Sequence, residues 1–105
     1  AKRIFLNENN EILTSVSSIC EMAIKISLNK LKLPGTLSEF VQNHIRGNKI
    51  TILPIELNHI YQVENLQYFH RDPFDRLIIA QAIAEGIPIL SKDEAFDDYP
   101  IQRIW

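Results

Sequence analysis

A chain of 105 residues, 46% of them hydrophobic, has material for one core and therefore one domain, spanning 1–105. A formal net charge of −2 and a pI near 5.9 give it no overall basic character, so bulk charge does not mark a nucleic-acid binder. The single cysteine, Cys20, excludes an intrachain disulfide, and no apolar run reaches the roughly 20 residues of a membrane helix or forms an export signal, so the expectation is a cytoplasmic protein with no membrane partner.

Residues 1–6 read as the tail of a helix, closed by Asn7 to Asn10. Glu11 to Val16 reads as a strand. Ser17-Ser18 then opens a helix to about Leu31, with Ser18-Ile-Cys-Glu21 as a capping box, and Leu33-Pro34-Gly35 breaks it. A second helix fits Leu37 to Arg46, capped by Gly47-Asn48, and Lys49 to Leu53 is a strand stopped by Pro54. A helix from about Glu56 to Leu66 follows, then a loop from Gln67 to Arg71.

The segment Asp72-Pro73-Phe74-Asp75 is an unusually clear helix start, with Asp72 as N-cap and Pro73 as the first helical residue. The helix Pro73–Glu85 is apolar nearly all round, which predicts burial on several sides, and Gly86 caps it. Ile87 to Leu90 is a short strand, Ser91-Lys92-Asp93-Glu94 opens a short helix, and Ile101 to Trp105 is a last strand. The alternation of strands and helices predicts an α/β domain with a mainly parallel sheet.

Three carboxylates, Glu21, Asp75 and Asp93, each fall where a strand or loop hands over to a helix. In a parallel sheet these hand-overs share one edge, so the three acids are expected to converge. Each also has a plain role near a helix N-terminus, worth about 0.3–1 kcal/mol. Stabilising helix ends does not require the acids to be close, whereas binding a hard divalent cation does. His44, His59 and His70 lack zinc-ligand spacing; His70 reads as a loop histidine near the rim of the site.

Four segments carry a resemblance: Thr14-Ser-Val-Ser-Ser-Ile-Cys-Glu-Met-Ala-Ile-Lys25, Lys30-Leu-Lys-Leu-Pro34, His70-Arg-Asp-Pro-Phe-Asp-Arg-Leu-Ile-Ile-Ala-Gln-Ala82 and Leu90-Ser-Lys-Asp-Glu-Ala-Phe96. They resemble the PIN-domain ribonucleases, most closely the VapC-like toxins of type II toxin–antitoxin pairs. The resemblance implies a PIN-like three-layer α/β/α fold and a Mg²⁺- or Mn²⁺-dependent endoribonuclease held in check by an antitoxin protein. It places the family's second, third and fourth acids on Glu21, Asp75 and Asp93, as catalytic and metal-holding residues. Ser91 matches a hydroxyl that supports the fourth acid, and Asp72 is an additional rim carboxylate or simply the N-cap. Lys25, Arg71 and Arg76 are candidates for contacting the RNA backbone. Cys20 stands where the family usually has tryptophan.

The family begins with a central strand that carries its first aspartate, and no such motif stands in this sequence. The expectation is therefore a sheet whose first, central strand is absent, with an open ladder that drives assembly into a homodimer or higher oligomer. Two rival readings remain open at this level. One is a catalytically inactive PIN-like module that binds an antitoxin or itself, through apolar surfaces around Phe40–Ile45 and Ile60–Leu66. The other is a phosphoacceptor α/β domain using Lys92 after the strand Ile87–Leu90, in which the Arg-Asp-Pro-Phe-Asp-Arg segment has no role.

Overall fold

Two pairs of parallel strands face each other across a third kind of strand running the opposite way. The computed structural model describes residues 4–69, 71–91 and 93–104. The sheet order is β3-β2-β1-β4-β5, with β1 Ile4–Leu6, β2 Ile12–Ser15, β3 Thr51–Leu53, β4 Ile89–Leu90 and β5 Arg103–Ile104. β2 pairs with β3, and β4 with β5, in parallel; β1 is antiparallel to both β2 and β4. The α/β expectation is met, but the sheet is mixed rather than mainly parallel.

The position of β1 corrects the reading of residues 1–6 as a helix tail, of which 1–3 lie outside the described residues. Ile4–Leu6 is a strand and fills the middle of the sheet. The asparagine run closes a hairpin instead of a helix. Asn7 Oδ1 accepts hydrogen bonds from the amides of Asn9 and Glu11, both 2.9 Å, and Asn10 is left-handed at φ 61°. Asparagine favours both helix ends and turns, so the run alone does not choose between them. The sheet therefore has no open central ladder among the described residues, and the reason for expecting self-association falls away.

Side chains alternate across a strand, so Phe5 shares a face with its partners Leu13 and Ile89. On that face Phe5, fully buried, joins Ile78, Ile79, Ala82, Phe96 and Tyr99 in the core. The neighbours Ile4 and Leu6 point to the other face and are half-buried.

Helix α1 runs from Val16 to Ser27. Its N-cap is Ser15, whose Oγ accepts from the Ser17 amide at 2.9 Å, so the expected Ser18–Glu21 capping box is not formed. It also stops before Leu31. Asn29 turns left-handed at φ 57°, its amide reaches Ile26 O, and the Lys30 amide reaches Lys25 O, which together make a Schellman ending.

Helix α2, Leu37–Phe40, has a Thr36–Glu39 capping box and passes into a wider π-type turn at Val41–Ile45, so the expected regular helix to Arg46 is interrupted. The left-handed stop falls on Lys49, φ 60°, rather than on Gly47 or Asn48, which shortens the following strand to Thr51–Leu53. Helix α3 spans Leu57–Glu64, shorter than expected at both ends. At its start buried His59 accepts the Glu56 amide at Nδ1, 3.0 Å, and therefore donates from Nε2 to Glu85, 2.9 Å.

Helix α4, Pro73–Glu85, agrees with the sequence reading to the residue. Asp72 Oδ1 accepts the Phe74 amide at 2.9 Å, Pro73 opens the helix, and Gly86 ends it at φ 65°. Six of its residues from Asp75 to Ala82 are buried, as an apolar-all-round helix requires. The last expected helix is a 3-10 turn at Glu94–Asp98, and the final strand is the short β5.

A two-pronged ion pair ties this last turn to β5. Arg103 Nε and Nη2 donate to Asp97 at 2.8 and 2.9 Å, and Nη1 donates to Ser91 O at 3.1 Å. The hydrogen bonds from Arg103 hold the Asp97 carboxyl below the usual carboxylate range. A depressed folded-state pKa contributes stability above the unfolded value of about 3.9 and loses it as pH falls through the lower folded value. The stability advantage of the native chain over Asp97→Asn should thus be full near pH 6 and shrink below about pH 4. Denaturant melts across that range would show it; a gap that stays constant down to pH 3 would contradict it.

Candidate active site

All four outer strands run in one direction, because β2 and β4 are both antiparallel to β1. Their carboxyl ends therefore share one edge of the sheet, where ligands of open α/β sheets bind. Ile4 pairs with Thr14 on one side and Leu90 on the other, so Ser15 and Ser91 lie one residue beyond on either side of β1. Two strand spacings separate them, roughly 10 Å.

This edge is where the buried polar groups gather. Thr14, Ser15, Ser17, Asp75, Gln81 and Ser91 are all buried, and burying such groups is costly unless hydrogen bonds satisfy them. Ser15 Oγ donates to Gln81 Oε1, and Gln81 Nε2 donates to Pro54 O at 3.1 Å, which clamps α4 to the ends of β2 and β3. Ser17 Oγ donates to Phe74 O at 3.3 Å and fixes the start of α1 against the start of α4. The clamp residues Gln81, Ser15 and Ser17 were not singled out from sequence. A lone glutamine inside the apolar run Ile78–Ile83 was the available signal.

The start of α4 places Asp75 in its first turn, 2% exposed. Glu21 lies in the second turn of α1, beyond capping range, and its Oε2 is 3.3 Å from Lys25 Nζ, one turn on. The plain explanation of Glu21 as a helix cap is thereby removed. Glu21, Lys25, Arg71 and Asp72 line one open groove between α1 and α4, together with Lys30. Asp93 follows the end of β4. Its amide donates to Ser91 Oγ at 3.1 Å, and its Oδ1 caps the 3-10 turn by accepting the Ala95 amide at 3.0 Å.

Arg76 points away from this groove. Its guanidinium donates to the carbonyls of Gln67, Leu66 and Val63 and lies under the Tyr68 ring. The rim role considered for His70, and the phosphoacceptor reading through Lys92, fall on residues outside those described.

The expected convergence of the acids is only partial. Among the described residues no group of three or more His, Cys, Asp or Glu side chains is close enough to hold a metal ion. The strand between the two halves, Ile4–Leu6, contributes no acid. The donor chemistry nevertheless suits a hard cation, since Glu21, Asp72, Asp75 and Asp93 offer only oxygen. Mg²⁺ in particular is commonly held by one or two carboxylates plus substrate phosphate and water rather than by a closed protein cage.

The family model described as PIN domain matches residues 1–102. The chain belongs to the PIN domain family. No curated protein and no solved structure matches it. PIN domains are in general RNA-binding nucleases that depend on divalent metal ions, so a nuclease-type function comes with the family. Among the described residues no helix is long and apolar enough to cross a membrane.

Proposed function

We propose that this PIN domain is an endoribonuclease of the toxin–antitoxin type, hydrolysing RNA phosphodiester bonds with Mg²⁺ or Mn²⁺ and silenced by a cognate antitoxin. The observation that carries the reading is Asp75, a carboxylate 2% exposed at the start of the most buried helix, on the sheet edge that also holds Glu21 and Asp93. A buried carboxylate forgoes its hydration, a cost that a bound cation would help to offset. The toxin subtype rests on the resemblance of four segments spread over the chain.

A divalent cation, when bound, would polarise the phosphoryl group and lower the pKa of the attacking water. The chain's own residues do the rest. Asp75, with Asp93 and Glu21, supplies the negative charge that holds the cation; Ser91 orients Asp93 through its amide. Lys25 and Arg71 steer the phosphate backbone into the groove. No covalent enzyme intermediate is needed. Leu57 and Tyr61 of α3, both exposed, offer an apolar surface for the antitoxin, and the sheet needs no second copy to complete it.

A second reading, the inactive PIN-like module, is favoured by the lack of a three-acid cluster among the described residues. Incubation with single-stranded RNA separates the two. Cleavage in Mg²⁺ or Mn²⁺ that EDTA abolishes supports the nuclease; intact RNA in both metals, with a folded chain, supports the module.

A further inference from the structure

Arg71 and Pro73 line the groove between α1 and α4, and the same two residues line a second groove against α3, so the two adjoin at the start of α4. The first groove combines Lys25, Lys30 and Arg71, beside Glu21 and Asp72, with the apolar Ile24, Leu28 and Phe74. The second is mainly apolar, walled by Ile60, Val63 and Leu77, and Tyr68 stands at its side, 69% exposed.

Tyr68 is exposed but not loose. The Arg76 guanidinium carbon lies 4.5 Å from its ring centroid. Arg76 is itself pinned by the carbonyls of Gln67 and Leu66, at 3.1 and 3.3 Å. The next residue, Phe69, is 57% exposed and held edge-on to Tyr99, centroids 5.4 Å apart, while the Tyr99 hydroxyl donates to Gln67 O. Folding thus anchors the short segment that carries two large aromatic side chains and leaves both rings in water. Such fixed, exposed aromatics beside a cationic groove are what base stacking requires.

We propose that Tyr68 is a stacking platform for an unpaired nucleobase, on an RNA strand whose phosphates run past Lys25, Lys30 and Arg71. The inference rests on the RNA reading above and assigns Tyr68 the free face of an unpaired base, since a paired and stacked base has none. Charge complementarity selects RNA over a protein segment as occupant. An apolar peptide fills the second groove but brings no counter-charge to Lys30 and Arg71 of the first, where Lys25 already faces Glu21 at 3.3 Å, whereas a strand of alternating bases and phosphates meets both grooves. Arg76 lines the second groove beside the ring and is a positioning residue in this scheme, since it holds the ring.

Fluorescence anisotropy in EDTA measures binding without cleavage. Short end-labelled single-stranded RNA and a blunt RNA duplex are titrated with the native chain, Tyr68→Ala and Tyr68→Phe, whose melting temperatures are compared. Tyr68→Ala should weaken single-strand binding roughly tenfold, with duplex binding unchanged, and Tyr68→Phe should restore it. Native-like single-strand affinity in Tyr68→Ala overturns the platform while leaving the RNA reading intact. An equal loss on both RNAs overturns it as well, since stacking cannot account for that. No RNA binding by the native chain, either in EDTA or in Ca²⁺, sinks both readings.

Discussion

Truncating Phe5 to alanine is expected to cost about 3–5 kcal/mol of stability, the usual penalty for removing a fully buried phenylalanine. The residue is the middle of the middle strand, paired to Leu13 on one side and Ile89 on the other, and 0% exposed. It packs on Ile78, Ile79 and Ala82 of α4, the helix that also presents Asp75. Domains of this size are stable by about 5–15 kcal/mol, so the variant should melt roughly 15 °C lower or fail to fold. Were residues 4–6 the frayed end of a helix, as their sequence alone suggests, the same change would cost well under 1 kcal/mol. A melting point within a few degrees of native would therefore remove β1 from the centre of the sheet.

The second large effect concerns chemistry rather than stability. Asp75→Asn keeps the size and shape of the side chain and the cap that Asp72 provides, so the fold should persist, with at most about 1 kcal/mol lost from the helix dipole. RNA cleavage should fall about a hundredfold or more, because the variant removes the negative charge that holds the cation at the site. Circular dichroism establishes the fold and a gel-based cleavage assay the rate. Undiminished cleavage by a folded Asp75→Asn chain would move the active site elsewhere.

How far the sequence could be read depended on how local each signal was. Helix α4 was legible to the residue because Asp72, Pro73 and Gly86 act on their immediate neighbours. The hydrogen bond from the Asp93 amide to Ser91 Oγ is equally local, although Ser91 was singled out only through the family resemblance. The π-type turn at Val41–Ile45 and the left-handed Lys49 were not legible, since the Gly47-Asn48 pair signals a stop one residue too early. β1 was missed because asparagines suit helix ends as well as the hairpin turn that pairs β1 with β2, and because its central place depends also on the distant β4. The convergence of acids was over-read for the second of these reasons. It assumed a parallel sheet with neighbouring hand-overs, whereas an antiparallel strand stands between Ser15 and Ser91 and parts the two halves of the edge.

This last point shapes what the acidic edge can do. Two halves separated by about two strand spacings, roughly 10 Å, favour a cation shared between one or two carboxylates and an RNA phosphate. The groove that joins Glu21, Lys25, Arg71 and Asp72 is where such a phosphate would enter, with the buried Asp75 in the first turn of the helix behind it.

The most direct test is calorimetric titration of Mn²⁺ into the native chain and into Asp75→Asn. Saturable binding by the native chain that the variant loses is the predicted result, and it would place a divalent cation at the acidic edge of this PIN domain. No binding by either protein even with a non-cleavable single-stranded RNA present, or equal binding by both, would contradict the metal-dependent nuclease and leave the inactive module as the reading of the chain.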